Sequence, residues 1–250
     1  MNASAGPWRR GLLIPSLTVF AALMVLIGLG IWQTERKAWK EGLIGTLTRR
    51  LAAPPIVLPA PDQWSGLDQA ENEFRHVTFR AEIFSNQEAP VYTSGSAFRP
   101  DISGPGYWIF APAKIANSGV VVINRGFVPE GRQDPKTRAE GQVIGPLDIV
   151  GVLRWPEAPG LFTPADDPSR NLWFTRNPVA IAQAKQWGAV APFYVEQEVP
   201  IPSGGLPKPG ALQVSLPNNH LQYAVTWFGL AGALVAVFGF WARSRMTASL

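Results

Sequence analysis

Two stretches of this chain, Gly11 to Trp32 and Leu221 to Trp241, run for about 21 residues each without an Asp, Glu, Lys or Arg. At a rise of 1.5 Å per residue, either makes a helix about 30 Å long, the thickness of bilayer hydrocarbon. A chain with such a run near each end is threaded through lipid twice, and whatever lies between must emerge on one side. The averages hide this, since 46% hydrophobic and 16% charged residues would suit a soluble protein. The predicted organisation is a cytoplasmic tail at 1–10, a first transmembrane helix at 11–33, a domain at 34–219, a second transmembrane helix at 220–241 and a cytoplasmic tail at 242–250.

The first run is preceded by Arg9 and Arg10, as a cleaved signal peptide would be. It exceeds the 7 to 15 residues of a signal core, however, and no small-x-small cleavage site follows Gly30-Ile31-Trp32-Gln33, so it reads as an anchor. The same arginine pair is a weak echo of a twin-arginine signal and carries little weight. Trp8, Trp32 and Trp241 sit where interfacial aromatic anchors belong. Orientation is less clear from charge. Arg9, Arg10, Arg243 and Arg245 on the tails are matched by Arg36, Lys37, Lys40, Arg49 and Arg50 on the loop side, and a long loop translocates largely regardless of charge. The net charge of +4 is scattered, with basic residues beside the membrane runs, which fits lipid headgroups and gives no nucleic-acid patch. There is no cysteine, hence neither a disulfide nor a thiolate metal site.

After the first run, Trp39, Leu43, Ile44 and Leu47 recur at helical spacing, so Glu35 to Thr48 is predicted as a juxtamembrane helix, continuing the first or folding back, that ends at Pro54-Pro55. Strands are predicted at 75–84, 89–93, 107–111, 119–124 and 147–153. Val77, Phe79, Ala81 and Ile83 alternate with polar residues, while Val120-Val121-Val122-Ile123 is apolar on both faces and reads as a central strand. Asn177 caps a helix with Pro178 at its first position and Gly188 past its end. A further strand is predicted at 193–198, followed by an irregular tether from Pro200 to Pro217 with five prolines. The expected fold is therefore two transmembrane helices flanking an α+β domain dominated by an antiparallel sheet or a partly open barrel.

Chemistry-bearing residues are few. Of the two histidines, His76 at the start of a strand reads as a solvent-facing sheet residue. His220 lies in Pro217-Asn218-Asn219-His220-Leu221-Gln222-Tyr223, at the mouth of the second membrane helix with Asn218 or Asn219 as N-cap. The positive end of a helix disfavours an imidazolium, which leaves a nitrogen lone pair free, as an axial haem ligand requires. A histidine that merely hydrogen-bonds at the interface satisfies the same pattern, and the residues alone do not separate the two. Met1, Met24 and Met246 all lie outside the central domain, which argues against copper delivery. No phosphate-binding glycine loop, zinc-protease helix or nucleophile with a placed base is visible, so no enzymatic activity is expected. Asp166-Asp167 before Pro168 reads as a solvated loop, and Asn124-Arg125 as a buried polar anchor or a partner-facing pair, with hydrogen bonding favouring the anchor.

Four segments match a known pattern in order: Leu29-Gly30-Ile31-Trp32-Gln33 with Arg36, Trp39, Lys40 and Leu43; Val122-Ile123-Asn124-Arg125-Gly126-Phe127-Val128-Pro129; Gly151-Val152-Leu153-Arg154 with Pro156-Glu157; and Asn219-His220-Leu221-Gln222-Tyr223-Ala224 with Thr226-Trp227. Together they resemble the Surfeit-one family of cytochrome c oxidase assembly factors, which usually has tryptophan at the place of Phe127. The resemblance implies a domain facing the periplasm or the mitochondrial intermembrane space, and a role in supplying or inserting haem a into oxidase subunit I. It also implies that His220 ligates the haem iron. Tyr223 and Trp227, one and two turns along the same helix face, are the expected haem-facing wall. Subunit I or an assembly intermediate, lipid and haem a synthase are the expected partners. The lack of a transit-like segment before Gly11 points to a bacterial inner membrane. A scaffold that grips an oxidase intermediate without touching haem is the alternative.

Overall fold

The computed structural model describes residues 7–96, 98–116, 119–214 and 216–247; the outermost parts of the two predicted tails lie outside the described residues. Its elements are four helices, α1 (Pro7–Ala52), α2 (Gln69–Asn72), α3 (Pro178–Lys185) and α4 (His220–Thr247), and seven strands, β1 (Ile56–Val57), β2 (His76–Ile83), β3 (Ala89–Gly95), β4 (Ser103–Ile115), β5 (Val120–Pro129), β6 (Pro146–Arg154) and β7 (Tyr194–Val199). The chain divides into two units, one of Met1–Gly45 with Leu216–Leu250 and one of Thr46–Ser215.

The first unit is a helix pair. Both α1 and α4 contain segments long and apolar enough to cross a membrane. The juxtamembrane segment does not fold back. It continues α1 without a break to Ala52, giving 46 residues, about 69 Å at the α-helical rise. That is more than twice the hydrocarbon thickness, so the charged stretch beyond Gln33 belongs outside the apolar layer. Lys37 and Glu41 pair across one turn at 2.7 Å and help this exposed stretch stay helical. Along α1 the less exposed residues include Val19, Leu23, Leu26, Gly30, Gln33, Lys37 and Lys40, spaced by three or four, which is one seam of a helix. On α4 the buried alanines are Ala224 and Ala231. Gly30 lets the helices approach, because a Cβ there would fall 2.6 Å from the Phe228 ring.

The second unit is a closed sheet. Strand order is β1-β2-β6-β7-β5-β4-β3, and an additional β2–β4 pairing joins the two sides. Strands β2, β6, β7, β5 and β4 therefore form a ring, sealed where Ala81, Glu82 and Ile83 face Ile115, Lys114 and Ala113. Of the expected antiparallel sheet or partly open barrel, the structure shows a barrel that closes, and closure removes strand edges that would otherwise template aggregation. Most pairings are antiparallel, as expected, but β5 and β7 run parallel, Val122 opposite Tyr194. The chain therefore needs a crossover between these two strands, and α3 lies on it.

Alternation along the strands fills the ring. Val77, Ala81, Ile83, Ala111, Ala113, Val121, Ile123, Ile149, Leu153 and Val195 point into one core. The outer face of β3, β4, β5 and β7 makes a second core with Trp108, Phe110, Val122, Trp173 and Ile181, the last carried by α3. Strand β5 is thus covered on both faces, as its uninterrupted apolar run predicts, and Val121, Val122 and Ile123 are fully buried. Each such side chain contributes about 1.5–3 kcal/mol relative to exposure. Helix α3 begins as predicted, with Asn177 Oδ1 accepting from the Ala180 N–H at 3.1 Å. It ends earlier than Gly188, at Gln186 in the left-handed region with φ 59°.

Two expectations on loops are corrected. The segment after β7 is not a free tether. Phe127 and Lys208 exchange main-chain bonds of 3.0 and 2.8 Å, and the Gln213 N–H donates to Phe98 O at 2.7 Å, so residues 206–213 strap onto the sheet. Asp166 is more than a solvated loop residue, because its Oδ1 accepts the Phe174 and Thr175 N–H groups at 2.6 and 3.1 Å and staples that loop.

Candidate functional site

Helix α4 starts at His220 because Pro217 cannot continue a helix backwards and Asn219 occupies the cap position, its carbonyl accepting the Tyr223 N–H at 3.3 Å. Across the helix pair, Gln33 ends the apolar run of α1 one turn beyond Gly30 and is buried, 9% exposed. The two meet: His220 Nδ1 lies 2.7 Å from Gln33 Oε1. Two turns further along the same seam, the Lys40 ammonium donates to the Pro217 carbonyl and ties the approach to α4 against α1.

The residues expected to wall the site are placed unequally. Trp227 is half-buried, about two turns from His220 on the face that also carries the buried Ala224 and Ala231. Tyr223 sits one turn along on the flank and is 55% exposed. Asn218, just before the helix, is half-buried, and its Oδ1 has no hydrogen-bond partner among the described residues. Among the described residues, only the Nδ1 atom of His220 has a hydrogen-bond partner, so the arrangement leaves Nε2 of the imidazole without one. Gln33 belongs to the motif around Gly30, which by itself assigns it no role. Its signal was an uncharged polar residue on the helical seam of Gly30, at the end of an otherwise apolar run.

In the barrel unit, polar residues read as surface or anchor turn out to be paired in the interior. His76 is a correction: its side chain is 12% exposed and its Nε2 lies 3.0 Å from Glu198 Oε2. The hydrogen bond with that carboxylate raises the His76 pKa, against burial, which lowers it. Arg125 is the buried anchor expected, donating to Glu88 Oε1 at 2.6 Å and to Gly141 O at 2.6 Å. Arg138 grips the same Glu88 carboxylate from the other side. Asn124 Oδ1 accepts the Gly126 N–H at 3.1 Å and shapes the bend there. A surface cavity of about 560 Å³ is lined by Tyr92, Phe162, Phe174 and Arg176, among others. The Arg176 charge is offset by Glu157 at 3.5 Å and Glu196 at 3.7 Å. No group of three or more His, Asp or Glu suited to a metal ion occurs among the described residues.

Residues 20–232, which include Gly30, Gln33, His220, Tyr223 and Trp227, match the model of the SURF1 family. The chain belongs to the SURF1 family. It is 35% identical over 216 residues to Surfeit locus protein 1 of Rattus norvegicus, covering 82% of this chain and 68% of the relative. It is likewise 35% identical over 234 residues to the Takifugu rubripes protein of that name, with 89% and 91% covered. The Homo sapiens Surfeit locus protein 1 is 33% identical over 217 residues, with 82% and 70% covered. As the match reaches from α1 through the whole barrel into α4, the helix pair and the barrel are both parts of what SURF1-family chains share.

Proposed function

We propose that this protein is a non-enzymatic assembly factor for cytochrome c oxidase that holds haem a transiently at His220 and supports its delivery to subunit I. Family membership supports the assembly role. The single observation that carries the haem reading is the state of His220: half-buried at the start of an apolar helix, one ring nitrogen engaged by Gln33 and the other without a partner among the described residues.

The donor chemistry fits a haem iron. Imidazole is an established axial ligand of haem iron, and the same apolar helix carries Tyr223 and Trp227 one and two turns on, side chains suited to a macrocycle. His220 would ligate, while Trp227 and Tyr223 would line the ring and exclude water. Haem a, once transferred, supplies the redox centre of the oxidase. The segment 34–219, which holds the barrel unit and the emerging end of α1, would lie on the periplasmic side of a bacterial inner membrane with both tails cytoplasmic. Subunit I or an early intermediate, haem a synthase and lipid are its proposed partners.

A scaffold that grips the oxidase intermediate without binding haem is the second reading. It is favoured by apolar side chains exposed on barrel loops, Ile144 at 98%, Leu161 at 92% and Phe162 at 93%. Deleting the gene and recording the haem a absorbance of the membranes tests the assembly role. The band should fall and return with the wild-type gene, and should return only weakly with His220→Ala. An unchanged band in the deletion strain would overturn the assembly role, and full rescue by His220→Ala would leave the scaffold.

A further inference from the structure

An amide buried at the end of an apolar run is expensive unless its polar atoms are matched. Gln33 meets this with His220, 187 positions away, at 2.7 Å between Oε1 and Nδ1. A carbonyl oxygen can only accept, so the proton in this bond belongs to the imidazole. A neutral imidazole has one N–H. With that proton committed at Nδ1, the lone pair lies at Nε2, the nitrogen without a protein partner among the described residues.

We infer that Gln33 is the positioning residue of the site: it holds His220 in the Nδ1-protonated tautomer and fixes the ring so that Nε2 is presented to a metal. The inference rests on the reading of His220 as a haem ligand. Metal-binding histidines as a rule donate their second ring N–H to a carboxylate, a main-chain carbonyl or water, which orients the ring and raises its basicity. Here a side-chain amide on a different helix supplies the acceptor. The acceptor stands on α1 and the ligand on α4, so the competent ring exists only while the helices are packed. Gly30, one turn from Gln33, permits that packing by leaving room for the Phe228 ring. Side chains with the same polarity but no acceptor would not serve, and a carboxylate would.

The full chain, labelled with 15N-histidine in detergent micelles, tests this without a bound group. It holds only two histidines, and His76→Gln identifies the remaining signal. The His220 resonances should report Nδ1–H, against the Nε2–H form that imidazole favours in water. Gln33→Leu should shift them toward the Nε2–H pattern, and Gln33→Glu should retain Nδ1–H. In parallel, hemin is titrated into the same preparations. Gln33→Leu should weaken binding about 10–100-fold, with Gln33→Glu restoring it. The iron–imidazole stretching frequency of the ferrous adduct should drop in Leu and rise in Glu. An unaltered tautomer and unaltered hemin affinity in Gln33→Leu would overturn the inference and leave the haem reading standing. Failure of the wild type to bind hemin would overturn the haem reading itself, and with it the role given to Gln33.

Discussion

His76 Nε2 lies 3.0 Å from Glu198 Oε2, joining the first residue of β2 to β7 over the strand between them. Both side chains are largely buried. The Glu198 hydrogen bond raises the His76 pKa above its usual 6.5, against the opposing cost of burial. A raised folded-state value means the pair stabilises the barrel fully below the unfolded value and loses that stabilisation as pH rises through the folded one. Denaturation midpoints of the detergent-solubilised chain should therefore fall as the pH rises from 6.5 through the raised folded-state value. In His76→Gln the same series should be nearly flat over that interval.

Glu88 is bracketed by two buried guanidiniums, Arg125 at 2.6 Å and Arg138 on its other side. Replacing it with alanine leaves two desolvated cations without their counter-charge and should cost about 3–5 kcal/mol. By contrast, Arg80 and Asp148 pair at 3.1 Å with side chains 62% and 74% exposed. Asp148→Ala should change stability by no more than about 1 kcal/mol. Urea unfolding of both variants measures the contrast.

At Gly126 the backbone has φ 122°, and a Cβ would fall 2.3 Å from the carbonyl of Lys208. Gly126→Ala should displace the strap at 206–213 from β5, with a loss of at least about 2 kcal/mol and faster proteolysis within that strap. Limited digestion followed by mass mapping reads this directly.

The close approach at Gly30 is softer, because the obstacle is a ring edge and Phe228 is 41% exposed. Gly30→Ala should be accommodated by a turn of the ring. Gly30→Leu should force α1 and α4 apart and break the Gln33–His220 bond. The 15N signal of His220 should then match that of Gln33→Leu.

Local patterns were legible in the sequence. The apolar runs mark α1 and α4, the alternation in Val77 to Ile83 marks β2, and Val120 to Ile123 marks a strand covered on both faces. Strand lengths were less so: β4 runs from Ser103 to Ile115 although Pro105 and Pro112 interrupt its pattern. Nonlocal pairings were the least legible. The side chains of Glu88 and Arg138, 50 positions apart, become buried only because the chain between them folds them together, and in sequence each has the composition of a surface turn. The same holds for His76 with Glu198. His220 was singled out by its place at a helix mouth, but its partner Gln33 lay inside a motif otherwise read as membrane anchor, and no local spacing links positions 187 apart.

Purifying the full chain from cells that make haem a, and recording its visible absorbance beside that of His220→Ala, tests the account most directly. The wild type should carry a Soret band that His220→Ala loses while remaining folded and in the membrane fraction. A wild-type protein without that band, or a variant that retains it undiminished, would contradict the account.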